Sequence, residues 1–357
     1  MLFDLNEEQL AFQASLRRAL AGLPVAADRM VAGTAEESLP RFAEAARMLA
    51  ELGVPAILVP EEAGGLGLGH VEAVVAAMVF GAAAPGLPGS EWIAASAVLA
   101  AAGGAELGPV LVGEAVATCV VSGRLTQRDG RLAGIVVAPY AAQCRWLAVP
   151  LGETEAVLVD LAAPGINLAP QPSLDLGHRF DRITVDCPAK DHPVVPIALA
   201  AKLRLLAAAE IAGAARHCLD LSTAYIGVRE QFGRVIATNQ ALRHIAASDL
   251  LRCDTMALGC RYAAWALDVG EADAGDWLRA ARVQAATQGP VVAENAVQLH
   301  GGIGFTWEYG LHLPLRRVAR LASQFGSPGA DQEVLARSVL TLAGLSGNVG
   351  HPMRGRN

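Results

Sequence analysis

Lysine is nearly missing from this sequence: Lys190 and Lys202 are the only two in 357 residues. Basic charge is therefore almost all arginine, and 35 acidic residues leave a formal net charge of −7. That balance argues against nucleic acid as the main partner, because a phosphate backbone needs a basic face. The six cysteines (Cys119, Cys144, Cys187, Cys218, Cys253 and Cys260) include no CxxC pair and sit in apolar or helical contexts. They read as buried thiols in a reducing cytoplasm. The eight histidines show no metal-ligand spacing, so no metal is expected. Uninterrupted apolar runs are also absent, although the chain is 53% hydrophobic with a mean hydropathy of +0.36. Val71–Pro88 comes nearest to spanning a bilayer, and it carries Glu72 and a Gly/Pro-rich end. The start, MLFDLNEEQL, lacks the basic residues and apolar core of a signal peptide. A cytoplasmic, mainly helical protein with large buried interfaces is expected, and no membrane partner.

The length is enough for two or three domains. Apolar spacing predicts helices at Asn6–Gly22, Arg41–Gly53, Val71–Gly81 and Ser90–Ala102. Between the second and third, the glycines of Val59–His70 (VPEEAGGLGLGH) match neither GxGxxG nor a Walker loop, and read as a turn. From about Val112 to Val195 the texture changes to short β-branched runs separated by Gly, Pro and Asp, the pattern of a small antiparallel sheet or barrel. Helices then return at Ile197–Val228, Asn239–Val269, Asp276–His300 and Gln332–Leu345 and imply a four-helix bundle. The fold class is thus mainly α with a small β domain: residues 1–111 helical, 112–195 β, 196–346 a bundle, and 347–357 a tail without regular structure. Alanine-rich, charge-poor stretches at Ile197–Ala215 and Ala280–Val297 carry more apolar face than one bundle buries, which predicts oligomerisation.

Chemistry concentrates in Gln298–Gly326, QLHGGIGFTWEYGLHLPLRRVARLASQFG. Gly301 and Gly302 let backbone N–H groups approach something bulky or anionic, although a glycine pair alone is as well explained by a loop. The upstream block Arg229–Gly233, REQFG, with Gln240 beyond it, adds a guanidinium and an aromatic. A guanidinium can pair with an anionic group and an aromatic can pack on an apolar one. The alternative is that Arg229 caps its helix and Phe232 is core.

With VPEEAGGLGL, YIGVREQFGRVIATNQALRH and AVQLHGGIGFTWEY...LRR in that order, nearly the whole chain resembles the acyl-CoA dehydrogenase family. The resemblance implies FAD as cofactor and an FAD site whose adenosine diphosphate end is covered by a neighbouring subunit's RxxFG and QxxGG motifs. These correspond to Arg229, Phe232 and Gly233, with Gln240 beyond, and to Gln298, Gly301 and Gly302. The family's reaction also needs a carboxylate to take the α-proton of an acyl-CoA thioester while the β-hydrogen leaves as hydride to the flavin. That base, the Glu of a YEG motif, falls here on Phe325, followed by Gly326. The minority position, one residue before Arg204, is Leu203. Neither side chain accepts a proton, so no catalytic residue is assigned. The family's TEP–AGSD loop is missing from Glu114–Val149, and GIVVAPY stands where the flavin-gripping strand belongs.

The resemblance therefore implies a degenerate subunit of a heteromeric α2β2 dehydrogenase. A homologous catalytic partner would bind most of the acyl-CoA, possible substrates would include steroid side-chain thioesters, and electron-transfer flavoprotein would be the acceptor. Two other readings stay open. One is a self-sufficient flavoenzyme, a monooxygenase or a dehydrogenase whose base has moved to Glu308, Asp331 or Glu333. In it, Glu308 has the simpler alternative of pairing with Arg316–Arg317. The other is a scaffold subunit without flavin.

Overall fold

The helix at His70–Ala83, here α3, is apolar around its whole circumference, and Ala73–Ala77 and Val79–Gly81 are buried. A helix of that kind belongs in a core or in a membrane. At 14 residues it is shorter than the ~20 a bilayer requires. Among the described residues no helix is long and apolar enough to cross a membrane. The computed structural model describes residues 4–21, 35–104 and 106–342. It places α3 at the centre, against α1 (Glu7–Ala21), α4 (Gly89–Ala102) and the long helix α6 (Leu199–Val228).

The α3–α6 crossing is made by two glycines. A Cβ on Gly81 would lie 2.0 Å from the Glu210 carbonyl oxygen, and one on Gly213 would lie 1.9 Å from that of Met78. Each helix thus presents a bare backbone to the other's carbonyls, closer than any side chain permits. The remaining helices of this part are α2 (Ala35–Glu51) and α5 (Leu107–Leu111). Helix α2 begins ahead of Pro40, earlier than the expected start at Arg41.

The β region holds β1 (Ala117–Cys119), β2 (Ser122–Arg128), β3 (Arg131–Pro139), β4 (Trp146–Leu151), β5 (Glu155–Asp160), β6 (Ile166–Gln171), β7 (Phe180–Pro188) and β8 (Val194–Val195). These form two four-stranded sheets, ordered β1-β4-β5-β8 and β2-β3-β7-β6. Leu125, Leu132, Val136, Ile183 and Val185 from one sheet share a core with Leu147, Val149, Val157 and Val159 from the other. The expectation of one antiparallel sheet or barrel needs correction, because β1 and β4 pair in parallel. The β2–β3 hairpin that separates them in the chain lies in the second sheet, and periodicity along a strand carries no information about its partner.

Helices α7 (Gln240–Val269), α8 (Ala274–His300), α9 (His312–Ser323) and α10 (Pro328–Leu342) join α6 in the C-terminal part. Helix α9 is an addition to the four that spacing predicted; its inward face is Leu313, Arg317, Val318 and Leu321, so the basic run there includes a core position. The last expected helix starts at Pro328, with proline in the first helical position. Gly22, the expected end at Leu345 and the tail lie outside the described residues.

Arg317 binds these parts to one another. Its Nη1 donates to the carbonyls of Phe80 and Gly81 (3.3 Å each), Nη2 to His178 Nδ1 (2.9 Å), and Nε faces Asp175 Oδ2 (3.4 Å). Arg320 Nε lies 3.2 Å from the same Asp175 oxygen. Burial opposes ionisation of Asp175, yet the two guanidinium groups hold its carboxyl well below the usual range. Burial and the neighbouring Arg317 push His178 down to about 4, so it stays neutral and accepts the arginine N–H. Glu91 and the buried Glu210 complete the cluster. Burial first and Glu210 second raise the Glu91 carboxyl to about 7.

Two outcomes follow from this cluster. Arg317→Met leaves buried groups unpaired and is expected to cost ~3–5 kcal/mol, read as a lower midpoint in urea unfolding; a loss below ~1 kcal/mol would refute the buried tie. Glu91 is protonated in the fold and ionised in the unfolded chain between pH 4.5 and 7. Its contribution is therefore full below pH 4.5 and lost as pH rises through about 7. Glu91→Gln, which cannot ionise, should raise Tm relative to wild type more at pH 8 than at pH 4; an equal shift at both would reject the assignment.

Candidate functional site

The C-terminal ends of α6 and α8 lie side by side. Tyr225 stacks on His300 at 4.7 Å, and His300 Nε2 accepts from the Tyr309 hydroxyl at 2.9 Å. This aromatic cluster joins the two motif blocks, which are far apart in the chain. Arg229 is the first residue past α6: its N–H donates to the Tyr225 carbonyl (2.9 Å), and its own carbonyl accepts from Ile236 (2.8 Å). A hairpin of β9 (Glu230–Gln231) and β10 (Arg234–Val235) follows. Its two turn residues, Phe232 and Gly233, both have positive φ (54° and 74°), the turn that matches strand twist.

Phe232 is 100% exposed, which rules out the core role left open for it. A phenyl ring held in the left-handed region with no packing in its own chain is strained and unburied, and a partner surface resolves both. Arg229 occupies the C-cap position of α6, which keeps the helix-capping alternative open, while its side chain is exposed and makes no hydrogen bond or ion pair among the described residues.

Gln240 is the first residue of α7, where N–H groups lack intrahelical partners. Gln298 is exposed in the last turn of α8. Gly301 (φ 62°) ends that helix, and no atom lies within 4 Å of a Cβ built on Gly301 or Gly302. Among the described residues nothing crowds position 302, which leaves its backbone open to approach from outside. All seven predicted residues therefore meet at one end of the bundle. They present donors: a free guanidinium, helix-start N–H groups, amides and bare backbone. Around them Val228, Ile303, Phe305 (80% exposed) and Trp307 form an apolar rim. This set fits the phosphate end of a dinucleotide with an aromatic beside it.

The two vacant base positions lie elsewhere. A cleft of about 980 Å³ opens between the β sheets, the start of α6 and the α9–α10 turn. Phe325 lines it, with φ at 66° followed by Gly326 at 93°. Buried Arg282 clamps that turn, donating to the carbonyls of Gln324 (3.2 Å) and Gly326 (2.6 Å) and to Asp331. Leu203 is buried. Among the described residues the one carboxylate lining the cleft is Glu153, from the β4–β5 turn, and Arg204 holds it through two bonds of 2.9 and 3.1 Å. That hydrogen bonding lowers the Glu153 carboxyl, whereas a general base at neutral pH needs the opposite shift.

The fallback carboxylates are placed unfavourably too. Asp331 is bound to Arg282, and Glu333 pairs with Arg337 at 2.5 Å. Glu308 is exposed and does not pair with Arg316 or Arg317 as expected: Arg316 lies over the Trp307 ring at 5.7 Å, and Arg317 is in the buried cluster. The cysteines form no disulfides, five are buried, and burial pushes Cys218, Cys253 and Cys260 up to about 12.

Sequence reasoning missed Tyr225, His300, Tyr309, Glu153 and Arg282. The first two sit beside the quoted motifs, in YIGVRE and QLHGG, and could have been marked by that adjacency. Glu153 and Arg282 carry no local signal, because their partners are distant in the chain.

The acyl-CoA dehydrogenase N-terminal domain model matches residues 6–108, and the C-terminal domain model matches 197–340. Among curated proteins, the chain is 31% identical over 341 residues to acyl-CoA dehydrogenase FadE34 of Mycobacterium tuberculosis, covering 89% of this chain and 44% of that one. It therefore spans less than half of FadE34. It is 30% identical over 297 residues to acyl-CoA dehydrogenase IpdE2 of the same organism, covering 82% and 84%. Among solved structures, the ChsE4–ChsE5 complex from Mycobacterium tuberculosis superposes with a TM-score of 0.77 at 20% identity, covering 95% and 99%. A Tcur3481–Tcur3483 steroid ACAD gives 0.77 at 23%, covering 95% and 99%. The FAD complex of PigA gives 0.74 at 18%, covering 97% and 100%. With both terminal domain models matched in order on this fold, the chain belongs to the acyl-CoA dehydrogenase family.

Proposed function

We propose that this chain is the non-catalytic subunit of a heteromeric acyl-CoA dehydrogenase. It donates Arg229, Phe232, Gly233, Gln240, Gln298, Gly301 and Gly302 to the adenosine diphosphate end of an FAD whose ring is held by a homologous catalytic partner. The observation that carries this reading is an asymmetry: the donor end of the bundle is built and outward-facing, while no unpaired carboxylate lines the cleft. FAD supplies the hydride acceptor of the dehydrogenation. The partner supplies the α-proton acceptor and most of the acyl-CoA site, in an α2β2 assembly.

Within this chain, the Arg229 guanidinium neutralises pyrophosphate charge, Phe232 packs against the cofactor, and the Gly301–Gly302 backbone lets phosphate approach. The similarity to the ChsE4–ChsE5 complex and to a steroid ACAD supports a paired assembly and a steroid side-chain thioester as substrate. Electron-transfer flavoprotein is the proposed acceptor.

The arrangement predicts one FAD per pair of unlike chains in the purified complex, measured by flavin absorbance against protein. A homo-oligomer of this chain that binds one FAD per chain and desaturates a thioester overturns the proposal. Arg229→Ala in the complex is expected to weaken FAD retention about 10- to 100-fold, the value of a charge-assisted hydrogen bond. Unchanged retention would remove Arg229 from the site.

A further inference from the structure

Three side chains meet where α3 begins, α6 begins and α7 ends, and none of them lines the cleft. His70 Nδ1 lies 2.6 Å from Asp268 Oδ1, and His70 Nε2 lies 2.6 Å from Lys202 Nζ. Asp268 also accepts the backbone N–H groups of His70 (2.8 Å) and Val71 (3.3 Å) at the start of α3. Burial disfavours its charge, but the bonds from His70 and Val71 hold the carboxyl below its ordinary value. An ionised carboxylate only accepts, so the imidazole proton sits on Nδ1 and the Nε2 lone pair faces the lysine. Gly69 makes room for this: a Cβ there would lie 2.4 Å from Asp268 Oδ2.

We infer that Lys202 is an acylation site, whose amine takes acyl groups from acyl thioesters with His70 as proton acceptor. An amine with an adjacent base reacts with acyl carbons that carry a good leaving group, and thioesters are the members of that class a protein of this family meets. The inference rests on family membership, not on the subunit role proposed above. The neutral amine donates one N–H to Nε2 and keeps its lone pair free. Attack forms the Nζ–C bond, the surplus proton passes to His70 Nε2, the C–S bond breaks, and the departing thiolate is protonated by the imidazolium. Burial favours the neutral amine by pushing the Lys202 ammonium down, with Asp268 opposing only in part.

The chain contains its own control, because Lys190, the other lysine, is exposed on a short turn before β8. The purified protein is incubated with acetyl-CoA, and acetyl addition at each lysine is followed by peptide mass spectrometry. Lys202 is expected to react at least ~10-fold faster than Lys190, a modest share of the ~10²–10⁴ that a positioned base contributes. His70→Gln should bring Lys202 to the Lys190 rate and leave Lys190 unchanged. In denaturant the two lysines should react alike. A folded wild-type protein in which Lys202 reacts no faster than Lys190 overturns the inference and leaves a structural tie between helices. A preference that persists in denaturant overturns it as well.

Discussion

Arg317 is a buried cation on α9 whose donors reach two other segments of the chain at once, the end of α3 and the β6–β7 connection. A guanidinium suits this because it is planar, keeps its charge, and carries several donors in a fixed fork. At the close of α3 the Phe80 carbonyl also accepts from the Ala84 N–H (2.9 Å), whereas the Gly81 carbonyl faces Pro85, which has no N–H to give, and Arg317 donates to both. Asp175 can remain ionised inside the protein only because Arg317 and Arg320 face it. Two further carboxylates, Glu91 and Glu210, share the same enclosure, and burial raises both. The two arginines thus stand among three acids, and burial favours the neutral form of Glu91 and Glu210.

The cluster occupies the junction of α4, α6 and α9, and the glycine crossing of α3 on α6 brings Gly81 directly against the Glu210 backbone. Close backbone approach and buried charge therefore reinforce each other. The crossing places the Phe80–Gly81 carbonyls within reach of Arg317, whose bonds tie the end of α3 to α9. Arg320 extends the same charge to the rim of the cleft, where it lies over Phe180 at 5.1 Å. What faces the cleft is arginine, a paired Glu153 and the Phe325 ring, a lining suited to holding shape and poorly suited to removing a proton.

At the other end of the bundle the logic reverses. There, among the described residues, the Arg229 side chain is exposed and unpaired, Phe232 stands uncovered on a tight hairpin, and a glycine pair faces open space. A surface of free donors and exposed rings is unstable as an endpoint and sensible as half of an interface. Beneath it, Tyr225 stacks on His300, whose Nδ1 faces the Ala296 carbonyl at 2.7 Å and whose Nε2 faces the Tyr309 hydroxyl at 2.9 Å.

Much of this was determined by the sequence alone. Helix spacing, the β-branched middle and the order of the motifs were enough for the fold class, and the seven residues proposed for the cofactor could be named from the sequence because each motif is local. The vacancy of both base positions was legible for the same reason, since one residue at a counted position decides it. Only the tertiary structure decided which strands pair, that Arg317 is core rather than surface, that Phe232 is wholly exposed, and that Glu153 meets Arg204. Those facts depend on contacts between residues tens to hundreds of positions apart, and the free energy of such a contact is set by burial and geometry that exist only after the chain has closed on itself.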